Sequence, residues 1–159
     1  MNVSMYKILL FSFIFLTLDQ LSKWFVVFYL ELKQKLYLNL NNQFINFYMA
    51  WNKGINFGLF EGDSVLQAYV LTTVAVLISI VFFIWLKNST SFFLQLLASL
   101  VIGGALGNAI DRIMYGAVAD FINVTCCGLR NPYSFNLADI FIFLGLLGIL
   151  IFRVDDKQN

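Results

Sequence analysis

Apolar residues are concentrated in four long segments of the chain, at about residues 8–30, 66–86, 92–114 and 137–152. Each segment is long enough to cross a bilayer whose hydrocarbon core is about 30 Å thick. The last segment is the shortest, and polar residues stand at its beginning. The pattern therefore predicts four transmembrane helices, an even number that places both ends of the chain on the same side of the membrane.

The first apolar segment begins as a secretory signal peptide would, with Lys7 before an apolar run. The run continues, however, through Asp19, Gln20 and Lys23 into a second apolar stretch at 24–30, without a small-x-small cleavage site. This continuation predicts a retained transmembrane helix instead of a cleaved leader.

A different periodicity follows in the connection 31–65. Apolar residues alternate with Asn at 37–41 and again at 44–48, which is the period of a strand with one apolar and one polar face. The segment 52–58 then supplies glycines for a turn or a close backbone approach. We expect a small amphipathic sheet on the membrane surface here, followed by a short interfacial helix at about 60–67.

The composition agrees with a membrane protein, with 60% hydrophobic and 12% charged residues in 159. A chain of this size forms one domain, so we expect a single membrane domain over residues 1–159. The net charge of +1 argues against a nucleic-acid partner, which usually requires a basic surface.

The distribution of basic residues does not decide the orientation of the four helices. Four lie on the side of the chain ends and four on the other side: Lys7, Lys87, Arg153 and Lys157 against Lys33, Lys35, Lys53 and Arg130. The basic residue in the short connection 87–91 favours chain ends that face the cytoplasm.

Histidine is absent from the sequence, which restricts the chemistry available. It excludes His-dependent zinc sites, Ser-His-Asp triads and Cys-His dyads. The only cysteines, Cys126 and Cys127, are adjacent, so a disulfide between them would be strained and two thiols alone make a poor metal site. We expect neither a metal nor a cofactor.

Asp19 and Lys23 are one helical turn apart within the first apolar segment, so they share a face and can pair. An unpaired charge there would be costly. A structural ion pair that fixes helix packing and a pair that supports a functional site both remain open.

The third apolar segment also carries polar residues near its end. Gly103 and Gly107 form a small-xxx-small pair, which allows a neighbouring helix to come close. Asn108 and Arg112 are one turn apart, whereas Asp111 and Arg112 point about 100° apart and are not expected to pair with each other. This cluster either extends to the interface or supports a site.

Two further aspartates, Asp120 and Asp139, flank one short hydrophilic connection at the same membrane face. Taken singly, Asp120 is a solvated loop residue, and Asp139 caps a helix whose N-cap is Asn136. Taken together, two close carboxylates share one proton, so one activates a water and the other acts as the acid. This is peptide hydrolysis without histidine, metal or a nucleophilic side chain.

Three other interpretations remain open from the residues alone. In a small transporter or channel, Asp19, Lys23, Asp111 and Arg112 would line a polar path through the membrane. An assembly factor without catalytic activity would tolerate substitution of either late aspartate. A Ser-Lys protease would use Lys23, although no serine is identified at the same membrane face.

Five ordered motifs resemble the lipoprotein signal peptidases (signal peptidase II). They are Asp19-Gln-Leu-Ser-Lys23, Asn52-x-Gly54-x-x-Phe57-Gly58, Gly103-Gly-Ala-x-Gly-Asn108-x-x-Asp111-Arg112, Gly116-x-Val118-x-Asp120-Phe121 and Phe135-Asn136-x-Ala138-Asp139. They occur in order over nearly the whole chain. The resemblance implies an all-α polytopic membrane protein with four transmembrane helices, a small periplasmic β-cradle and a short interfacial helix.

The same resemblance implies an aspartic endopeptidase of the bacterial inner membrane, with its active site at the periplasmic face. Its substrates would be prolipoproteins, cleaved just before a diacylglyceryl-modified cysteine, and its expected inhibitor is globomycin. Asp120 and Asp139 would be the catalytic pair. Supporting or substrate-contacting positions would be Asp19, Lys23, Asn52, Gly54, Gly104, Asn108, Asp111, Arg112, Asn136 and Ala138.

The position of Asp139 near the start of a helix predicts how the two carboxyl groups divide their roles. The positive end of the helix dipole favours the charged form of Asp139. We therefore expect Asp120 to hold the shared proton in the free enzyme.

Overall fold

Five helices and three strands make up a computed structural model that describes residues 3–40, 44–54, 64–125 and 131–155. The helices are α1 (Val3–Lys23), α2 (Leu32–Lys35), α3 (Ser64–Leu86), α4 (Phe92–Tyr115) and α5 (Leu137–Asp155), and the strands are β1 (Tyr37–Leu38), β2 (Ile45–Asn52) and β3 (Val118–Val124). A π-helical segment, Trp24–Tyr29, continues α1.

Three of the helical segments are long and apolar enough to cross a membrane: Val3–Tyr29, Val65–Leu86 and Phe92–Tyr115. The apolar part of α5, Leu137–Phe152, is shorter. The prediction of a mostly helical membrane protein is therefore confirmed. The predicted fourth span coincides with α5, and its crossing of the membrane stays a prediction.

Helix α4 lies at the centre and packs against α1, α3 and α5. Two glycines permit the close approach. A Cβ at Gly103 would lie 2.7 Å from the backbone oxygen of Ser12 in α1, and one at Gly104 would lie 2.6 Å from that of Ala138 in α5. The small-residue face predicted at Gly103 is thus the contact with α1, and its neighbour forms the contact with α5.

The ends of α4 are capped by the residues that such positions favour. Ser91 stands at the N-cap, where its side chain accepts a hydrogen bond from the backbone N–H of Leu94. Gly116 follows the last turn with φ +71°, a left-handed conformation that glycine adopts without strain. This turn directs the chain from α4 into β3.

The sheet is antiparallel, with strand order β1-β2-β3. The predicted sheet at 31–65 contributes the strands β1 and β2, whereas the third strand, β3, comes from after α4 and pairs Asp120 with Ala50. Most of β3 is buried, Asp120 and Asn123 included, so polar and apolar residues do not alternate along it. Asp120 therefore lies within a strand, and the interpretation of it as a solvated loop residue was wrong.

The predicted interfacial helix at 60–67 is not found as an independent element where the structure describes the chain. Residues 64–67 form the first turn of α3, and the rest of that range lies outside the described residues. A short helix occurs earlier instead, in α2, between two left-handed residues, Glu31 and Leu36. Below it, Val27 and Phe121 belong to an apolar cluster that fixes the sheet against the end of α1.

Candidate active site

Asp120 is buried in β3, with 3% of its surface exposed. Its two carboxyl oxygens accept hydrogen bonds from two side-chain amides. Asn52 Nδ2, at the end of β2, donates to Oδ2 over 3.0 Å, and Asn136 Nδ2, just before α5, donates to Oδ1 over 2.6 Å. The pairing of β2 with β3 and the entry into α5 thus meet at this carboxyl group.

Asp139 lies in the first turn of α5 and forms a reciprocal cap with Asn136. Asn136 Oδ1 accepts the backbone N–H of Asp139 over 3.0 Å, and Asp139 Oδ2 accepts the backbone N–H of Asn136 over 3.1 Å. The predicted N-cap is confirmed. The other carboxyl oxygen of Asp139, Oδ1, accepts a hydrogen bond of 2.9 Å from Asn108 Nδ2. The carboxyl group therefore has a contact besides those of the helix cap.

Asn136 is consequently hydrogen-bonded to both carboxyl groups. It is fully buried, and its amide nitrogen also donates to Asn108 Oδ1 over 3.2 Å. This one residue therefore fixes Asp120, Asp139 and Asn108 relative to one another, through its side chain and its backbone N–H.

The electrostatic environment favours the protonated form of Asp120. Burial and, next, the negative charge of Asp139 raise the pKa of Asp120 from 3.8 to about 6. Hydrogen bonds from Asn52 and Asn136 and the positive charge of Lys23 act in the opposite direction. A carboxyl group with this pKa can exchange a proton near neutral pH, as a general acid must.

The backbone after β2 is held close to Asp120. Gly54 donates its backbone N–H to Asn52 Oδ1 over 2.9 Å, which leaves the amide nitrogen of Asn52 for Asp120. Gly54 has φ +109°, and a Cβ there would lie 3.1 Å from Gln67 Nε2 in α3. Only glycine fits this turn without strain. The following residues, Ile55–Gly58 of the predicted motif, lie outside the described residues.

A second polar cluster lies behind the two carboxyl groups and is also buried. Lys23 Nζ lies 2.8 Å from Asp19 Oδ2 and 2.9 Å from Asp111 Oδ2, and it donates to Asn108 Oδ1 over 3.0 Å. The predicted pairing of Asp19 with Lys23 is confirmed, and the ion pair with Asp111 was not foreseen.

Both carboxylates of that cluster also accept backbone N–H groups. Asp111 Oδ2 accepts that of Ala119 over 3.1 Å, and Asp19 Oδ1 accepts that of Ala138 over 3.0 Å. Ala138, a member of the resemblance motifs, thus donates its backbone N–H to Asp19, and its backbone oxygen is the atom that a Cβ at Gly104 would meet.

Gln20 is a member of the cluster that sequence reasoning missed. Its amide nitrogen donates to Asp111 Oδ1 over 3.0 Å, to the backbone oxygen of Gly107 over 3.1 Å and to Asp19 Oδ2 over 3.2 Å. The sequence did contain a signal for this role. Gln20 is a polar residue next to Asp19 in an apolar helix, and a polar side chain is unusual in such a helix, as a charged one is.

Arg112 lies at the edge of an open cleft between α3, α4 and α5. Its Nη1 donates to the backbone oxygen of Asn108 over 3.3 Å, and its buried Nε has no hydrogen-bond partner in the described structure. Arg112 forms no ion pair with Asp111 among the described residues, as expected for two side chains that point in different directions from the helix. The cleft holds about 350 Å³ and is otherwise apolar, with walls that include Leu71, Ile78 and Ile142.

The arrangement fits proton transfer better than metal binding or ion conduction. The described residues contain no group of three or more His, Cys, Asp or Glu that could hold a metal ion. The alternative of a transporter path through Asp19, Lys23, Asp111 and Arg112 is not favoured, since the first three charges are buried and paired with one another.

Comparison with known proteins places the chain in a family. Residues 11–154 match the family model of signal peptidase (SPase) II, Peptidase A8. A lipoprotein signal peptidase of Methylorubrum extorquens is 37% identical over 86% of this chain and 78% of its own. That of Rhodopseudomonas palustris strain TIE-1 is 35% identical over 89% and 88%, and that of Pelagibacter ubique 36% identical over 91% and 83%.

Solved structures show the same fold. Two bacterial membrane enzymes, determined by the in meso method at 2.3 Å and 1.9 Å resolution, superpose with TM-scores of 0.74 and 0.77. Both are 25% identical in sequence and cover 94% of this chain, and 88% and 93% of their own. The chain belongs to the signal peptidase II family.

Proposed function

We propose that Asp120 and Asp139 are the catalytic pair with which this signal peptidase II, an aspartic endopeptidase, removes signal peptides from prolipoproteins. One observation carries the assignment: the side chain of Asn136 donates to Asp120, and its backbone N–H donates to Asp139. The negative charge of Asp139 also raises the pKa of Asp120, which supports titration of the two carboxyl groups as a pair.

The pair acts on a water molecule between the carboxyl groups and the scissile carbonyl. Asp139 takes a proton from the water, whose oxygen bonds to the carbonyl carbon, and Asp120 gives its proton to the carbonyl oxygen. When the carbon–nitrogen bond breaks, the proton on Asp139 passes to the leaving amine, and Asp120 takes a proton back from one hydroxyl group of the tetrahedral intermediate. The products are the carboxylate of the signal peptide and a free amino group on the lipid-modified cysteine.

The pKa of Asp120 supports this division of roles. Because burial and the charge of Asp139 raise it to about 6, Asp120 is the group that holds the shared proton. Asp139 accepts hydrogen bonds from Asn108 Nδ2 and from the backbone N–H of Asn136, and we assign it the role of the base.

The cleft between α3, α4 and α5 is the proposed site of the signal peptide. Its apolar walls suit the apolar part of a signal peptide, and Asn108 and Arg112 stand at its polar end. The unpartnered Nε of Arg112 is a donor for a carbonyl of the substrate backbone. The acyl chains on the cysteine can then extend into the surrounding lipid, which accounts for a membrane-bound protease.

The remaining site residues have positioning or contact roles in this proposal. Asn52 and Gly54 hold the β2 end against Asp120, and substrate passes beside them. Gly104 and Ala138 bring α4 and α5 together below the pair. Asp19, Lys23, Asp111 and Asn136 support it from behind.

The setting in the cell follows from the same proposal. The chain forms one membrane domain over residues 1–159, with α5 as the fourth span and both ends in the cytoplasm. The sheet and the catalytic pair then lie at the periplasmic face of a bacterial inner membrane. Substrates carry a diacylglyceryl cysteine, and globomycin is the expected inhibitor.

Cleavage by purified variants tests the proposal. Asp120→Asn and Asp139→Asn should each lower the rate on a diacylglyceryl-modified prolipoprotein by about 10⁴-fold or more, since each removes a proton-transfer group. Glu31→Gln, which changes an exposed carboxylate outside the site, is the control and should cleave normally. A near wild-type rate in either folded aspartate variant would show that the two-aspartate mechanism is wrong.

A further inference from the structure

Lys23 lies at the junction of two hydrogen-bonded paths, each leading to one of the proposed catalytic aspartates. Its ammonium contacts Asp111 Oδ2 at 2.9 Å, and the same oxygen accepts the N–H of Ala119. It also contacts Asp19 Oδ2 at 2.8 Å, and the other oxygen of Asp19 accepts the N–H of Ala138. Both paths therefore start from one charged group.

Each path ends on the residue directly before a catalytic aspartate. Ala119 precedes Asp120 in β3, and Ala138 precedes Asp139 in α5. The two segments come from different elements, and the N–H groups that are fixed belong to the peptide units that lead into the catalytic residues. A movement of the ammonium would move both segments relative to each other.

A third contact reaches the pair through side chains. Lys23 donates to Asn108 Oδ1, and the amide nitrogen of Asn108 donates to Asp139. The amide of Asn108 is thus held in the one orientation in which it can bond to that carboxyl group.

Stability alone does not account for such a cluster. It holds one cation and two carboxylates, all almost completely buried, and desolvation of three charges offsets most of their attraction. Well-packed apolar residues of similar volume would stabilise the helix contact at least as well. What apolar residues cannot do is fix the direction and position of two separate backbone N–H groups.

We propose that Lys23 is a positioning residue that sets the separation of the Asp120 and Asp139 carboxyl groups through Asp111 and Asp19. The proposal rests on the assignment of these two aspartates as the catalytic pair. Lys23 does not contact the reacting atoms, and its effect passes through the backbone of Ala119 and Ala138.

The separation of a carboxyl pair can be measured from the pH profile of kcat/KM. Close carboxyl groups titrate in two well-separated steps, and the steps approach each other when the groups move apart. A change of nearby charge instead moves both steps in the same direction. The charged groups that face the pair in the described structure are Asp19, Lys23, Asp111 and Arg112.

Four variants separate positioning from charge and from folding. Lys23→Met removes the ammonium, and the double variants Lys23→Met with Asp111→Asn or Asp19→Asn restore the net charge of the cluster. Gln20→Met only weakens the cluster and is the variant least expected to disturb folding. Lys35→Met is the matched control, since Lys35 forms an exposed pair with Glu31 at the same helical spacing.

The two charge-balanced variants should lose about 10²-fold in kcat, the effect of a displacement of roughly 1 Å in a catalytic group. Their KM for a diacylglyceryl-modified prolipoprotein should stay within about threefold, because substrate contacts are kept. The two apparent pKa values of kcat/KM should move toward each other. In Lys23→Met the spacing of the two apparent pKa values should narrow in the same way, and both values should also rise because a positive charge is lost. In Gln20→Met the spacing should narrow less, and in Lys35→Met it should not change.

Two results would overturn the proposal. One is a lower kcat in the balanced variants with an unchanged spacing of the two pKa values. The other, if the Lys23 variants do not fold, is a Gln20→Met enzyme with the wild-type profile. Failure of the catalytic assignment would look different. The pH profile of the wild type would then not depend on these two carboxyl groups, and its two limbs would persist in Asp120→Asn and Asp139→Asn.

Discussion

At the scale of single residues, Asn136 combines a structural and a functional task. It caps α5, and it donates to the Asp120 carboxyl group. Capping alone was a sufficient explanation of the Asn136–Asp139 spacing in the sequence. The partner that changes this picture, Asp120, belongs to another element and has no local signal near Asn136.

An Asn136→Asp substitution separates the two tasks. Aspartate is as good an N-cap as asparagine, but it places an acceptor oxygen where the amide donated to Asp120. We expect the cleavage rate to fall by about 10²-fold or more, because the hydrogen bond to Asp120 is lost and a like charge is placed beside its carboxyl group. Because a third carboxyl group is then buried beside Asp120 and Asp139, the thermal midpoint should fall as well, so the rate is compared per folded molecule.

Ser91→Asp is the matched control for that variant, because it changes the N-cap of α4 far from the pair. It should leave the cleavage rate as it is. Equal activity of Asn136→Asp and wild type would mean that the contact with Asp120 has no catalytic role.

The raised pKa of Asp120 also predicts a pH dependence of stability. A carboxyl group whose pKa is higher in the folded than in the unfolded state stabilises the fold below about pH 4, and this contribution is lost as the pH rises through about 6. The shift from 3.8 to about 6 corresponds to about 2–3 kcal/mol.

Thermal unfolding in detergent between pH 4.5 and pH 8 measures this effect. The wild type should lose stability relative to Asp120→Asn as the pH rises, because asparagine has no charge to bury. A difference between the two proteins that does not change with pH would contradict the shifted pKa.

At the scale of elements, the sequence predicts the helices well and the sheet only in part. Each long helix is a predominantly apolar segment, so its position follows from length and composition alone. Strand β2 lies where the alternating pattern predicted it. Strand β3 is mostly buried, and its seven residues, with Asp120 and Asn123 among apolar ones, lack the alternation that would predict a strand.

The ion cluster was predictable only within one helix. The pairing of Asp19 with Lys23 follows from their spacing along α1, whereas the pairing of Lys23 with Asp111 joins α1 to α4 and depends on helix packing. Backbone contacts such as that of Asp111 with Ala119 have no sequence signature, since every residue except proline has an N–H.

The contact between α4 and α5 gives a prediction at this scale. In Gly104→Ala the new Cβ would lie 2.6 Å from the backbone oxygen of Ala138, so α5 must move away from α4. Overpacking of this kind costs typically about 1–3 kcal/mol. Because Asp139 follows Ala138 directly, cleavage should fall more than the loss of folded protein explains.

The thermal midpoint and the cleavage rate of the folded fraction, measured together, check this. Ile113→Ala, which truncates an exposed side chain of the same helix, is the control. A Gly104→Ala protein with full activity per folded molecule would show that the spacing of α4 and α5 does not set the position of Asp139.

At the scale of the whole molecule, the fold places the sheet and both aspartates at one end of the helices. The connection between α3 and α4 lies at the opposite end if each long helix spans the membrane. Two exposed positions report these two ends, Lys35 in α2 and Asn88 after α3. Four spans with cytoplasmic chain ends therefore predict opposite accessibility at the two positions.

Labelling with a membrane-impermeant maleimide measures this in intact cells. In a background in which Cys126 and Cys127 are replaced by serine, Lys35→Cys should react when the outer membrane alone is opened. Asn88→Cys should react only after the inner membrane is permeabilised. Labelling of both from the same side would rule out the proposed topology.

The central claim is that Asp120 and Asp139 act together on one water molecule. An experimental structure of the enzyme with a bound uncleavable substrate peptide measures it most directly, as the distance between the nearest carboxyl oxygens. A single bridging water with two ordinary hydrogen bonds requires a separation of at most about 5.5 Å. We predict a distance at or below that value, whereas a separation above roughly 10 Å in the bound enzyme would contradict a shared water.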